Sequence, residues 1–416
     1  MSIPIIIICH NNHKYVDNTV KQLTKINSEY VKQINILDNK STEIDTINYL
    51  KTVNVNVIYN EFNVGPWISN TRNTHIYNMM PDKFIITDPD LEYHKDIPSD
   101  FIEQLLKLSD KYNTFKIGMA LDISEVDKMY SGGYEGDKTI HTWESQFWKR
   151  DISDDNYKLY IADMDTTFCL INKRLLHGTQ IRVAGNFTAK HLPWYIHNPL
   201  LSIYELFKCY DNTQKISTIS KLVIPHINHH YVKVFKNNEL ILIENRSDNK
   251  YLDFWKHTYP TWKNDIFNTL DTYLKGDKVF IDIGGKTGEI SIYGSRKSKH
   301  VFVVETDGDR FEYLSANCKT NSSNITCINN TIKIQDILTN YEIDPTNISL
   351  IHIEIDGKEE DILSDLYEVY TSHHIPIQIT FEFSKWLNKD LNRFLLLSSD
   401  NKEKIMNNNN VSILFS

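Results

Sequence analysis

Apolar residues fall along this chain in short unbroken runs, separated by stretches where they recur every three or four positions. That alternation predicts strands covered on both faces with helices between them. Ile3 to Cys9 is the first run and ends in the polar loop His10-Asn11-Asn12-His13. Val16, Val20, Leu23 and Ile26 then recur at helical spacing. Gln33 to Leu37 predicts a second strand, ending at Asp38-Asn39. Val53 to Tyr59 predicts a third, which ends at Asn60 and leads into Asn63-Val-Gly65-Pro66. The fourth, from Lys83, delivers Asp88-Pro89-Asp90 to its carboxyl end. Ile97-Pro-Ser-Asp100 opens a helix with Phe101, Ile102, Leu105, Leu106 and Leu108 on its buried face, and Phe115 to Leu121 is a further strand. Such a series builds a mostly parallel α/β sheet, whose ligands bind where the strands' carboxyl ends open into a crevice.

Strand alternation points Asp88 and Asp90 the same way, and Pro89 cannot donate to a ladder, so the pair sits at the strand's open end. Two like charges on one edge call for a cation between them. Downstream come Ser131-Gly-Gly-Tyr-Glu-Gly136, a lid or a plain loop, and three clusters: Trp143-Glu144 with Phe147-Trp148, Ala162 to Phe168 around Asp165, and Arg182 to Gly185 with Lys190-His191-Leu-Pro193-Trp194-Tyr195. Aromatic rings among carboxylates can stack sugars, and core packing explains them equally well; Trp148 and Phe168 are read as core.

The pattern restarts in the second half. Tyr231 to Phe235 and Glu239 to Ile243 alternate across Lys236-Asn-Asn238 as a hairpin. Lys278-Val-Phe-Ile-Asp282-Ile-Gly284-Gly285-Lys286-Thr287-Gly288 is a buried strand turning through glycines into a helix, and Val301 to Glu305 is a strand ending in an acid. Glycines admit a ligand to the backbone, and an acid ending the next strand can take both hydroxyls of a ribose. The dinucleotide pattern Gly-x-Gly-x-x-Gly is absent.

At 416 residues the chain exceeds one ordinary core, and the boundary is placed near residue 225, giving domains 1–225 and 226–416. A net charge of -9 provides no basic field for nucleic acid or an anionic membrane. Five scattered cysteines read as reduced intracellular thiols. His226, His229 and His230 lack a further ligand at zinc spacing. The apolar start is far shorter than the roughly 20 residues a membrane span needs, and is read as a strand of a soluble protein.

The first strand with Cys9 to Asn12, Asp38, Asn63-Val-Gly65-Pro66, Asp88-Pro89-Asp90, Asp165-Thr-Thr-Phe168 and His191-Leu-Pro-Trp194 together resemble a GT-A-type nucleotide-sugar glycosyltransferase of the family 2 kind. The resemblance implies a Rossmann-like N-terminal domain and a donor site of Cys9, His10, Asn11, Asp38, Asn63, Gly65 and Asp88. Asp38 would hold the nucleobase or ribose, and Asp88 the ribose. Asp90, with Asp88 and His191, would hold manganese or magnesium against the diphosphate, an imidazole tilting the preference to manganese. The catalytic base of an inverting enzyme must come within about 3 Å of the acceptor hydroxyl, and Asp165, then Glu144, are the candidates.

Gly284, Gly285 and Gly288 give the loop form of S-adenosylmethionine-dependent methyltransferases. Together with Phe311, Leu314, Asn317, Glu354-Ile-Asp356-Gly357 and Phe381-Glu382-Phe383 they resemble the FkbM type, which largely O-methylates sugars and polyketide-derived hydroxyls. This implies a second Rossmann-like domain, with Asp282, Gly284, Gly285 and Gly288 at the cofactor, Glu305 on its ribose, and Glu354 and Asp356 in the active site. The family's Asp-x-Glu-Gly appears here as Glu354-Ile-Asp356-Gly357. Lys286 in the cofactor loop would suit a phosphate better than a sulfonium, unless it points outward.

The expectation is a bifunctional cytoplasmic glycan-assembly enzyme, in the host's cytoplasm if viral, with a nucleotide-sugar donor, a glycan acceptor, no nucleic acid and no membrane insertion. Its alternatives are a glycosyltransferase carrying a non-catalytic, glycan-binding methyltransferase-like module, and a nucleotidyltransferase.

Overall fold

The computed structural model describes residues 3–66, 74–211, 218–329, 333–355, 372, 375, 377–382, 402–407 and 410–415. The chain divides into two compact units, Met1–Leu200 with Lys215–Leu222, and Leu201–Gln214 with Val223–Ser416. No helix among the described residues is long and apolar enough to cross a membrane.

The first unit contains β1 (Ile5–Cys9), β2 (Ile34–Asp38), β3 (Asn56–Tyr59), β4 (Lys83–Thr87), β5 (Leu91–Tyr93), β6 (Lys116–Met119), β7 (Leu159–Ile161), β8 (Cys169–Asn172), β9 (Gln180–Val183) and β10 (Ala189–His191). Eight of these form one sheet in the order β3-β2-β1-β4-β8-β6-β9-β7. The first four are parallel, and β8 enters antiparallel between β4 and β6. β1 is buried along its whole length, as its unbroken apolar run requires. Ile6, Ile8, Leu37, Phe84 and Ile86 pack with Cys169 and Ile171 in one core cluster. Phe168 is fully buried between Tyr93 and Phe101, as core. Strand order reverses between β1 and β4, which opens a crevice at their carboxyl ends.

The second unit contains the hairpin β11 (Tyr231–Lys236) and β12 (Glu239–Glu244). Asn237 and Asn238 both take positive φ in its two-residue turn, the requirement of a type I′ turn. Its sheet comprises β13 (Val279–Ile283), β14 (His300–Val304), β15 (Ile325–Ile328), β16 (Ile348–Ile353), β17 (Ile377–Glu382), β18 (Lys402–Asn407) and β19 (Asn410–Phe415). The order is β15-β14-β13-β16-β17-β19-β18, parallel through β17, with β19 antiparallel to both neighbours. Here the order reverses between β13 and β16, and the glycine loop follows β13 at that point.

Candidate active site

β4 stops at Thr87, because Pro89 has no amide for the ladder. The chain turns through Asp88-Pro-Asp90 and pairs again as β5, antiparallel to β10, with Leu91 opposite His191. The two acids therefore flank a turn instead of sharing a strand face. That turn is pinned on several sides. Thr19 Oγ1 donates to Pro89 O at 2.6 Å, Asp88 N to Thr166 O at 2.9 Å, and Leu192 N to Asp90 O at 2.9 Å. Gln22 bonds Leu91 O and Tyr93 N, clamping β5 to the first helix.

Thr166 Oγ1 lies 2.7 Å from both oxygens of Asp88. Burial, and after it the charge of Asp90, push the Asp88 carboxyl up to about 7. His191 Nε2 lies 3.4 Å from Asp90 Oδ2, and its ring meets Trp194 edge-on at 4.9 Å. Burial would lower the imidazole's pKa, but Asp90, Asp88 and Glu144 together outweigh it and raise it. Asp90 Oδ1 and His191 Nδ1 are buried and without a hydrogen-bond partner among the described residues. Among those residues no three His, Cys, Asp or Glu side chains converge closely enough to hold a metal ion; Asp90 and His191 come together, while Asp88 turns onto Thr166.

Across the crevice the ends of β1, β2 and β3 are tied by Asp38 and Asn39. Asp38 Oδ1 accepts from Ser41 N at 3.0 Å and from Ser41 Oγ at 2.6 Å. Asn39 is fully buried; its N–H reaches Cys9 O, its Nδ2 donates to Gly65 O at 2.8 Å, and its Oδ1 accepts from Asn60. Asn11, at φ 53°, accepts from Thr42 N and Glu43 N, and Asn63 Oδ1 accepts from Gly65 N. His10 Nδ1 lies 3.0 Å from Asn39 O, and Cys9 Sγ 3.9 Å from Ser41 Oγ. All seven positions assigned to the donor from sequence thus lie on one sheet edge.

The second unit repeats this placement. Gly284 takes φ +87°, and a Cβ there would stand 2.0 Å from Glu354 O. A Cβ on Gly285 would strike Val303, and Gly288, at φ +102°, leads into the next helix. Glu305 accepts Lys286 N at 2.8 Å on Oε2 and Asp307 N at 2.8 Å on Oε1, while Asn317 holds Thr287 O. Asp282 is fully buried, and both its oxygens are engaged, Oδ1 by His352 Nδ1 at 2.8 Å and Oδ2 by Ser291 Oγ. It is therefore sealed beneath the loop and does not line it. Lys286 points inward: its ammonium and that of Lys263 both meet Glu354 Oε1. Burial alone would raise the Glu354 carboxyl, but Lys263, Lys286 and His352 hold it below the ordinary range. Asp356 lies outside the described residues.

The glycosyl transferase family 2 model matches residues 5–177, the span that carries the crevice between β1 and β4. Over that span the chain is similar to family 2 glycosyl transferases. No curated protein matches the chain. Among solved structures, an rRNA methylase from Streptococcus thermophilus is 14% identical and covers 36% of this chain and 92% of its own, at a TM-score of 0.30. A precorrin-6y C5,15-methyltransferase from Geobacter metallireducens is 16% identical over 38% and 89%, at 0.29. A putative methyltransferase from Escherichia coli is 11% identical over 44% and 96%, at 0.31.

In the first unit the two base candidates occupy opposite environments. Asp165 is exposed, and its Oδ1 accepts from Thr166 N at 2.9 Å. Glu144 is buried and ion-paired with Arg182, whose guanidinium also bonds Asp163 O at 2.9 Å and stacks on Phe147 at 4.1 Å. Burial pushes Glu144 up to about 6 against the pull of Arg182. Thr19 and Gln22, which hold the turn, were not singled out by sequence reasoning, and Thr166 and Arg182 fell within quoted clusters without a role of their own. Thr19 carried a signal, since it stands on the same helical stripe as Val16 and Leu23, where a polar residue needs a buried partner.

Proposed function

We propose that the glycosyltransferase domain moves a sugar from a nucleotide-sugar donor to a glycan hydroxyl with a divalent cation at Asp90, and that the second unit O-methylates a sugar with S-adenosylmethionine. The observation that supports the first activity is the buried, unpartnered Asp90 Oδ1 beside His191 at the sheet's switch point. When bound, manganese or magnesium would neutralise the departing diphosphate. Asp90 would hold it, His191 would complete its shell, and Asp88 would sit against the ribose. Asp38 would take the nucleobase or ribose, with Cys9, His10, Asn11, Asn63 and Gly65 shaping the donor pocket. Asp165, being exposed, can reach an acceptor hydroxyl. Glu144, committed to Arg182, is the weaker candidate for the catalytic base. In the test, Asp90→Asn should abolish manganese-dependent hydrolysis of UDP- and GDP-sugars while leaving the melting temperature unchanged. Full hydrolysis by the variant would refute the assignment.

For the second unit the Gly284 cradle, which a Cβ would fill, and Glu305 at the end of β14 fit a nucleoside-bearing cofactor. The sealing of Asp282 favours the rival reading, a non-catalytic glycan-binding module. Calorimetric titration with S-adenosylmethionine separates the two: binding supports the methyltransferase, and its absence supports the module.

A further inference from the structure

Cys318 and Cys327, two of the five thiols scattered along the chain, come together in the second unit. The helix Gly308–Asn321 turns Leu314 and Cys318, one turn apart, inward, and Cys318 is 2% exposed. On β15 the side chains alternate: Thr326 bonds His300, while Ile325 and Cys327 pack against the core that holds Leu314 and Cys318. The Cys318 thiol donates a hydrogen bond to the sulfur of Cys327. The turn that joins them is fixed from outside. Asn324 Nδ2 donates to Ser295 O and to Ser298 O, each at 3.1 Å, and Asn324 O accepts from Val301 N at 2.9 Å. Asn321 is likewise held to both the amide and the carbonyl of Leu242. A bond between the two sulfurs therefore closes over backbone that is already in place.

The two sulfurs differ in access. β15 ends the order of described strands in its sheet, and Cys327 on it is half-buried, whereas Cys318 is sealed. Burial raises the Cys318 thiol well above its ordinary range, and the hydrogen bond from Cys318 lowers that of Cys327 against its own burial. Cys9 and Cys169, buried in the other unit, are pushed up to about 12. A partly open sulfur beside a sealed one is the arrangement of an attacking and a resolving thiol. We propose that Cys327 and Cys318 form a reversible dithiol–disulfide pair, oxidised through Cys327 by a small disulfide. The Cys327 thiolate attacks one sulfur of that disulfide, whose S–S bond breaks and releases a thiolate, which takes up the proton Cys327 had lost. The Cys318 sulfur then attacks Cys327 Sγ, and its proton passes to the second departing thiolate. Two protein thiols give up two electrons, and the small disulfide is reduced to two thiols. The pair is independent of the activity proposed for this unit.

The test incubates the full chain with glutathione disulfide, blocks the remaining thiols with iodoacetamide and reads tryptic peptides by mass spectrometry. Wild type should yield Phe311–Lys319 linked to Thr320–Lys333, two hydrogens lighter than their sum, and dithiothreitol should reverse the link. Cys327 should react at least about tenfold faster than Cys9 and Cys169. Cys318→Ser should leave glutathione on Cys327, and Cys327→Ser should leave Cys318 unreacted. In wild type, which needs no variant to fold, glutathione that stays on Cys327 without a link, or full alkylation of both thiols, overturns the pairing. A Cys327→Ser chain of unchanged melting temperature whose Cys318 reacts as fast as wild-type Cys327 overturns the order of attack.

Discussion

Arg182→Met probes how the first unit holds a charge beside its acids. The Arg182 and Glu144 side chains are 5% and 3% exposed, so removing one partner strands the other away from water. Breaking such a buried pair costs about 3–5 kcal/mol. Part of that cost is independent of pH, because the guanidinium also bonds Asp163 O and stacks on Phe147. The rest is not. Glu144 is raised from 4.5 to about 6, so in wild type the native state holds its proton more tightly than the unfolded chain, and stability falls as pH rises from 4.5 to 6. That fall is about 2 kcal/mol, at 1.36 kcal/mol per unit. At pH 5 the carboxyl is mostly protonated in both proteins, and losing Arg182 costs chiefly packing and one hydrogen bond. Above pH 6 wild type ionises against Arg182, whereas the variant must keep the proton to stay folded. The gap between them then widens by about 1.4 kcal/mol per pH unit, up to the variant's own pKa. Hydrogen exchange in peptides covering β7 and β9, corrected for intrinsic rates at pH 5, 6.5 and 8, measures the gap within this unit. Arg182→Met with Glu144→Gln should recover most of the loss at pH 8. A gap independent of pH, or no recovery in the double variant, would refute the reasoning.

Asn39→Ala removes the side-chain link between Asn60 and the Gly65 loop, while the backbone bond to Cys9 O stays; it should cost about 1–3 kcal/mol in a melting experiment and weaken any donor-dependent thermal shift. Gly284→Ala forces a Cβ to 2.0 Å from Glu354 O in a left-handed backbone. It should abolish S-adenosylhomocysteine binding by calorimetry and lower the melting temperature. Lys236→Met leaves Trp262 O and Asn264 Oδ1 without their donor, and should raise exchange at the start of the helix Asn264–Tyr273.

Much of the fold was legible because doubly covered strands are largely apolar, so β1, β4 and β13 announce themselves as runs. What the runs could not show was the break at Asp88. Alternation placed Asp88 and Asp90 on one face, but the strand ends at Thr87, and Asp90 is oriented by a ribbon whose other half lies a hundred residues away. Partners remote in sequence were likewise hidden. Arg182 between Ile181 and Val183, and His352 within Ile348–Ile353, are polar residues in buried runs, which demand a partner without naming it. The partners proved to be Glu144 and Asp282. Lys286 was read as facing a phosphate or solvent, because a sequence cannot show that Glu354 O approaches Gly284 and brings its carboxylate with it.

The acids that end the second strand of each sheet, Asp38 and Glu305, share a place but are held differently, and this predicts an asymmetry. Asp38 receives both its loop contacts, from Ser41 N and Oγ, on Oδ1. An asparagine can keep them on its one carbonyl oxygen. Asp38→Asn should therefore leave the melting temperature nearly unchanged and lower donor affinity by the loss of a charged acceptor, about tenfold or more. Glu305 receives a backbone N–H on each oxygen, from Lys286 and from Asp307. A glutamine can answer one of these; its NH₂ faces the other donor, so the glycine loop must shift. Glu305→Gln should lower both stability and S-adenosylhomocysteine affinity, and the two losses should appear together in melting curves with and without ligand. Equal melting behaviour of the two variants would show that these loop contacts do not set the shape of either pocket.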